Sequence, residues 1–125
     1  MSETTPAAAA AAAPPTAETI RRARLVWEQG RADLREARRR LRAQAPLDAS
    51  YLSFQAALNA LTAVCYLHGE FRGPTFSTAQ LARLLEGFDA RFAALVPAAQ
   101  ALEAAQQLNP YAAEHDGAEE RRQAG

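Results

Sequence analysis

Between residues 16 and 43 apolar and small side chains recur as Ile20, Ala23, Trp27, Gly30, Leu34, Ala37 and Leu41. These alternating steps of three and four place all seven on one stripe of a helix, because a turn closes every 3.6 residues. Thr16 offers an N-cap hydroxyl and Glu18 a first-turn carboxylate, so the spacing predicts a helix from Thr16 to about Ala43. A glycine inside the seam, Gly30, marks a close approach of a neighbouring helix.

After Pro46, a second helix is predicted from about Ala49 to His68, with Asp48 as its cap. It carries two apolar rows: Tyr51, Phe54, Leu58, Leu61 and Cys65 in one, Ala57, Ala60, Val64 and Leu67 in the other. A helix apolar on two sides belongs at the centre of a fold. Gly69 follows as a left-handed C′ residue, and His68 sits at the negative end of the helix dipole. The segment EFRGPTF is a loop. Ser77 with Gln80 forms a capping box for a third helix whose core face is Leu81, Leu84, Leu85, Phe88 and Phe92. A short fourth helix starts at Pro97, turns Ala98, Ala101, Leu102 and Ala105 inward, and ends at Asn109 and Pro110. No strand pattern appears. The expected fold is all-α, an up-and-down four-helix bundle with a long first helix, spanning residues 16–112.

Composition refines the ends and the thickness of the core. Hydrophobic residues make up 49% of the chain, but alanine supplies much of this, which predicts helices packed closely over small side chains. PAAAAAAAPP is too short between its prolines to hold a helix nucleus, so residues 1–15 are expected to be disordered, and the polar segment 113–125 to be a flexible tail. No basic residue precedes Arg21 and no apolar run is long enough to span a membrane, which makes a cytoplasmic protein without membrane contact the expectation.

The net charge is zero, yet charge is segregated. All 14 basic residues are arginine, and 9 of them lie between Glu18 and Ala43 against 4 acids, a local balance of +5 offset by −5 elsewhere. On the helical wheel Arg24, Arg31, Arg35, Arg38 and Arg42 fall within a sector of roughly 60° beside the Trp27 stripe. Such a row is the solvated side of a helix, supported locally by pairs such as Arg24 with Glu28 and Glu36 with Arg40. It also suits phosphate, which a guanidinium binds with two parallel hydrogen bonds, so these five arginines are the candidate nucleic-acid or partner-binding residues.

Three stretches together resemble a known family. Trp27, Ala32-Asp33-Leu34, Ala37 and Leu41, then Phe54-Gln55-Ala56-Ala57 with Ala60-Leu61, then the run PTFSTAQLARLL, are similar in order and spacing to the signatures of HEPN domains. These are small helical domains associated with minimal nucleotidyltransferases. The likeness covers roughly residues 20 to 111. It implies a helical bundle of bacterial toxin–antitoxin or stress-response setting, a homodimer, and a nucleotidyltransferase as partner. The chain departs from the family at Leu58-Asn59, where Glu-Lys is typical, and at Ala79, where histidine is typical. The nuclease branch carries an arginine ahead of a histidine. Here Leu108 and Asn109 occupy that place ahead of His115, so the resemblance does not carry nuclease activity over.

The remaining chemistry is sparse. Cys65 has no basic neighbour in its row and is expected to be an inert core thiol, and His68 a helix-end cation. Two separated histidines and one cysteine offer no convergent metal ligands, and no cofactor is expected. Asn109 and His115 are read as solvated loop residues. Tyr111 is expected to anchor the end of the chain to the bundle. The sequence therefore predicts a non-catalytic, HEPN-like interaction module that binds a partner protein. Two alternatives stand beside it: a divergent ribonuclease using His115 with Asn109, and a bundle that binds RNA or DNA through the Arg24 to Arg42 face. Self-association as a homodimer is expected from the second apolar row of the second helix together with Phe71 and Phe76.

Overall fold

The computed structural model describes residues 14–70 and 77–110. Four α-helices follow one another: α1 (Ala17–Arg42), α2 (Pro46–Leu67), α3 (Thr78–Glu86) and α4 (Val96–Gln107), with a 3-10 segment, Ala90–Leu95, before the last. Among the described residues there is no strand, and the protein is an all-α, four-helix fold with a long first helix. Residues 1–13, the loop residues Phe71 and Phe76, Tyr111, His115 and the expected tail lie outside the described residues.

The ends of the helices follow local chemistry. Thr16 caps α1, its hydroxyl accepting from the Thr19 amide at 3.1 Å. At the other end the Ala45 amide donates to the Arg40 carbonyl at 2.9 Å and Gln44 to Leu41 at 3.1 Å, a left-handed closure in which Gln44 holds φ 62°. The same motif closes α2, where Glu70 donates to Cys65 at 2.9 Å and Gly69 to Tyr66 at 3.0 Å, Gly69 holding φ 81°. The Ser77 and Gln80 capping box is complete, with reciprocal bonds of 3.1 and 2.8 Å.

Two expected boundaries shift. Helix α2 begins at Pro46, with Ala45 in the cap position and no side-chain cap. Asp48 is inside the first turn, where its carboxylate meets the positive dipole end and pairs with Arg40 of α1. Helix α3 ends at Glu86, so Phe88 and Phe92 lie beyond it; the Asp89 side chain accepts from the Arg91 amide at 2.9 Å and starts the 3-10 segment instead.

Helix α2 is central. On one side it packs against α1; on another it receives α3 and α4. The apolar core sits on that second side. Leu61, Cys65, Leu81 and Leu85 are buried there, with Leu58, Val64, Leu84, Phe88 and Phe92 packed around them. Leu81 and Leu85 have no exposed surface, and burying each contributes about 1.5–3 kcal/mol. Helix α4 turns a different face inward from the expected one: Ala99 is buried, Leu102 and Glu103 half-buried, and Ala98, Ala101 and Ala105 exposed. The reason is polar. The Thr78 hydroxyl, fully buried, donates to the Ala99 carbonyl at 3.0 Å, and the Glu103 carboxylate accepts from the Ala79 amide at 3.3 Å, which fixes the rotation of α4 against the start of α3.

Candidate functional site

The α1 stripe is divided between two fates. Its small members, Ala23, Gly30 and Ala37, are buried against α2, whereas Ile20, Trp27, Leu34 and Leu41 remain 39%, 45%, 39% and 62% exposed. The helix is therefore rolled relative to the expected orientation, so that the small row meets α2 and the large row stands beside the contact. Close packing drives the roll. A Cβ on Gly30 would lie 3.1 Å from the Ala56 carbonyl oxygen and 3.2 Å from the Asn59 Cβ, a spacing only a small row permits.

The large row of α1 and the second row of α2 form two walls of a shallow apolar channel. Near the start of α1 it is a cavity of about 450 Å³, lined by Ile20, Ala23, Trp27, Val64 and Leu67, with Arg24 and Glu28 at its edge. It continues past Trp27 as a second cavity of about 300 Å³ between Leu34, Ala57 and Ala60, edged by Arg31. Alanine gives this wall of α2 its depth.

The five arginines of the expected face are all exposed, and two of them, Arg24 and Arg31, edge the channel. Among the described residues only Arg31 of these five forms an ion pair, reaching Glu28 at 3.7 Å; Arg24, which the spacing would pair with Glu28, does not. Glu36 does pair with Arg40, at 2.7 Å. On the opposite flank of α1, charges are already engaged with α2. Asn59 donates to the Asp33 carboxylate at 3.0 Å, Arg40 joins Asp48, and the Arg22 guanidinium lies 5.9 Å from the centre of the Tyr66 ring.

Among the described residues the other candidates do not gather into a reactive centre. Cys65 is 1% exposed, and burial together with the Glu70 charge pushes its thiol up to about 11, as an inert core thiol requires. His68 occupies the C-cap of α2 and stacks on Phe88 with ring centres 4.7 Å apart. Asn109 is not a solvated loop residue. It is 4% exposed and its amide donates to the Leu47 carbonyl at 2.9 Å, tying the end of α4 to the start of α2. Sequence reasoning missed it because the signal is tertiary. Its expected companion His115 lies outside the described residues. Among the described residues no three His, Cys, Asp or Glu side chains are grouped to hold a metal ion, and no helix is long and apolar enough to cross a membrane.

No family model matches this chain, and neither a curated protein nor a solved structure does.

Proposed function

We propose that the protein is a non-catalytic helical interaction module whose apolar α1–α2 channel docks a partner protein. The observation that carries this reading is the row Ile20, Trp27, Leu34 and Leu41, four large apolar residues left 39–62% exposed on one face of one helix. A contiguous apolar surface of this kind is costly in water and marks an interaction site. The resemblance to HEPN domains supplies the setting: a bacterial, cytoplasmic module of the toxin–antitoxin or stress-response type, with a nucleotidyltransferase as the partner. A second copy of the chain competes for the same face, since Val64 and Leu67 belong to both.

The test is retention of proteins from the source cells by wild type and by Leu34→Glu, a substitution at an exposed position. A protein retained by wild type and lost by the variant, with helicity unchanged in circular dichroism, is the expected result; retention that ignores Leu34→Glu rejects the face. A second reading, nucleic-acid binding, is favoured by the absence of ion pairs at Arg24, Arg35, Arg38 and Arg42 among the described residues. In that case Arg31→Gln, Arg35→Gln and Arg38→Gln together flatten the salt dependence of RNA binding by about one unit of slope per lost contact. RNA cleavage is not expected on either reading, because no arginine stands at Leu108 to stabilise the transition-state charge. Cleavage abolished by His115→Ala would reverse that conclusion.

A further inference from the structure

We propose that the α1–α2 channel receives a single amphipathic helix from a different protein, about three heptads long, with acidic residues along the flank that faces Arg24, Arg31 and Arg38. This rests on the reading of the channel as a docking face and names its occupant.

The first argument is periodicity. Ile20, Trp27, Leu34 and Leu41 recur every seven residues, as do Ala23, Gly30 and Ala37. In a coiled coil two such rows form one seam, and each row inserts between side chains of a neighbouring helix. Here α2 fills the small row and the large row is open. The α2 wall repeats at the same interval, with Ala57 and Val64, then Ala60 and Leu67. Two heptad walls with an open channel between them are two helices of a three-helix seam. From Ile20 to Leu41 the α1 row runs about 32 Å, the length of three heptads, and its members Ile20, Trp27 and Leu34 line the channel.

Charge selects the occupant. The flank of α1 that faces α2 has its partners within the chain, Asp33 with Asn59 and Arg40 with Asp48. The other flank of α1 carries arginine at every heptad, Arg24, Arg31 and Arg38, of which Arg24 and Arg31 edge the channel; against these three stands one acid of the same rim, Glu28, 3.7 Å from Arg31. The α2 wall brings no countercharge, since Ser53, Ala57, Ala60, Val64 and Leu67 are neutral. Residues flanking a coiled-coil seam set partner choice by their charge, so the missing carboxylates belong to the incoming helix. A second copy of this chain does not supply them. A two-fold axis brings a surface patch against itself, and through this face it sets the arginine row against its own symmetry mate. Like charges at that spacing repel.

The test uses the full chain and two synthetic peptides of about three heptads. Both carry leucine at the seam positions; one carries glutamate and the other lysine at the flanking positions, each used where it is monomeric by sedimentation. Trp27 is the only tryptophan, so its fluorescence reports the channel directly. The glutamate peptide should shift Trp27 emission to the blue and bind about tenfold tighter than the lysine peptide at low salt, as three surface ion pairs allow. The variant with Arg24→Glu, Arg31→Glu and Arg38→Glu should reverse that order while its helicity stays unchanged. If both peptides bury Trp27 equally, the acidic partner is wrong and the docking face survives. If neither peptide moves Trp27 emission, the docking face falls as well. A dimeric mass by light scattering with Trp27 already buried makes a second copy the occupant. An RNA oligonucleotide that binds more tightly than the glutamate peptide and is lost in the triple variant assigns the rim to nucleic acid. Either of these last two results overturns the inference.

Discussion

Replacing Gly30 with alanine sets two opposed energies against each other, and the structure decides the sign. Alanine is the better helix former by about 1 kcal/mol in a helix interior, so local propensity favours the change. The new Cβ would lie 3.1 Å from the Ala56 carbonyl oxygen, 3.2 Å from the Asn59 Cβ and 3.5 Å from the Ala60 amide nitrogen. Two carbons prefer a separation of about 3.5–4.0 Å, which leaves the Asn59 contact short by at least about 0.3 Å. None of these atoms is the end of a flexible side chain. Relief requires α1 and α2 to move apart along their whole contact, and overpacking of this kind costs about 1–3 kcal/mol. With about 2 kcal/mol of strain against about 1 kcal/mol of propensity, Gly30→Ala should destabilise the protein by about 1 kcal/mol. Urea unfolding followed by circular dichroism measures it directly. A peptide covering residues 16–43 separates the two contributions, because there the same substitution should raise helicity. A full-length variant as stable as wild type, or more so, would show that α1 and α2 do not approach as closely as Gly30 allows, and the reasoning fails.

Three further outcomes follow from burial, backbone and charge. Leu81→Ala, at a fully buried position, should cost about 2–5 kcal/mol, whereas Trp27→Ala, at a position 45% exposed, should cost less despite removing a larger side chain; comparable losses in urea unfolding would place Trp27 in the core. Gln44 and Gly69 both hold positive φ, 62° and 81°, at helix ends. Gln44→Gly should raise stability by up to about 1 kcal/mol and Gly69→Ala should lower it by about 1 kcal/mol, the latter from backbone alone since nothing lies within 4 Å of the added Cβ. Opposite signs in thermal unfolding are the check. The Arg91 side chain and amide, hydrogen-bonded to Asp89, hold its carboxyl down at about 2, against an ordinary 3.8. A lowered folded value means that its contribution is present above about pH 4 and lost as pH falls from there toward 2, so the advantage of wild type over Asp89→Asn should vanish across that window.

The parts of this fold that were legible in the sequence are those decided within a few residues. Thr16, the Ser77 and Gln80 box and Gly69 each satisfy backbone groups at their own helix end, and each stands where expected. What escaped depends on contacts distant in sequence. Nothing local marks Gln44 for a left-handed turn; the geometry is imposed by the sharp reversal that returns α2 along α1. Asp48 has the composition of a cap but is committed to Arg40, eight residues earlier. The inward face of α4 could not be chosen by apolar spacing, because alanine is spread around that helix and a threonine hydroxyl and a glutamate carboxylate decide its rotation. Asn109 is buried by a bond that spans 62 positions.

The candidate site was legible in a different sense: periodicity drew the stripe on α1 but not which of its two rows would be covered. A helix that needed only α2 as its neighbour would gain most by turning Trp27, Ile20 and Leu34 inward. A buried tryptophan hides up to about 250 Å², so the 45% still exposed at Trp27 is on the order of 110 Å², about 3 kcal/mol of burial left unrealised at that residue alone. That is a sizeable fraction of the total stability of a domain this small. Packing the small row instead gives α1 and α2 a closer approach, as the Gly30 contacts record, and leaves the large row aligned with Ala57, Ala60 and Val64 across an open channel. On the docking reading proposed above, the unrealised burial is available to the incoming helix, and the arginines beside it would make entry dependent on charge. Stability withheld from the free protein and affinity offered to a partner are the same surface, counted in two states.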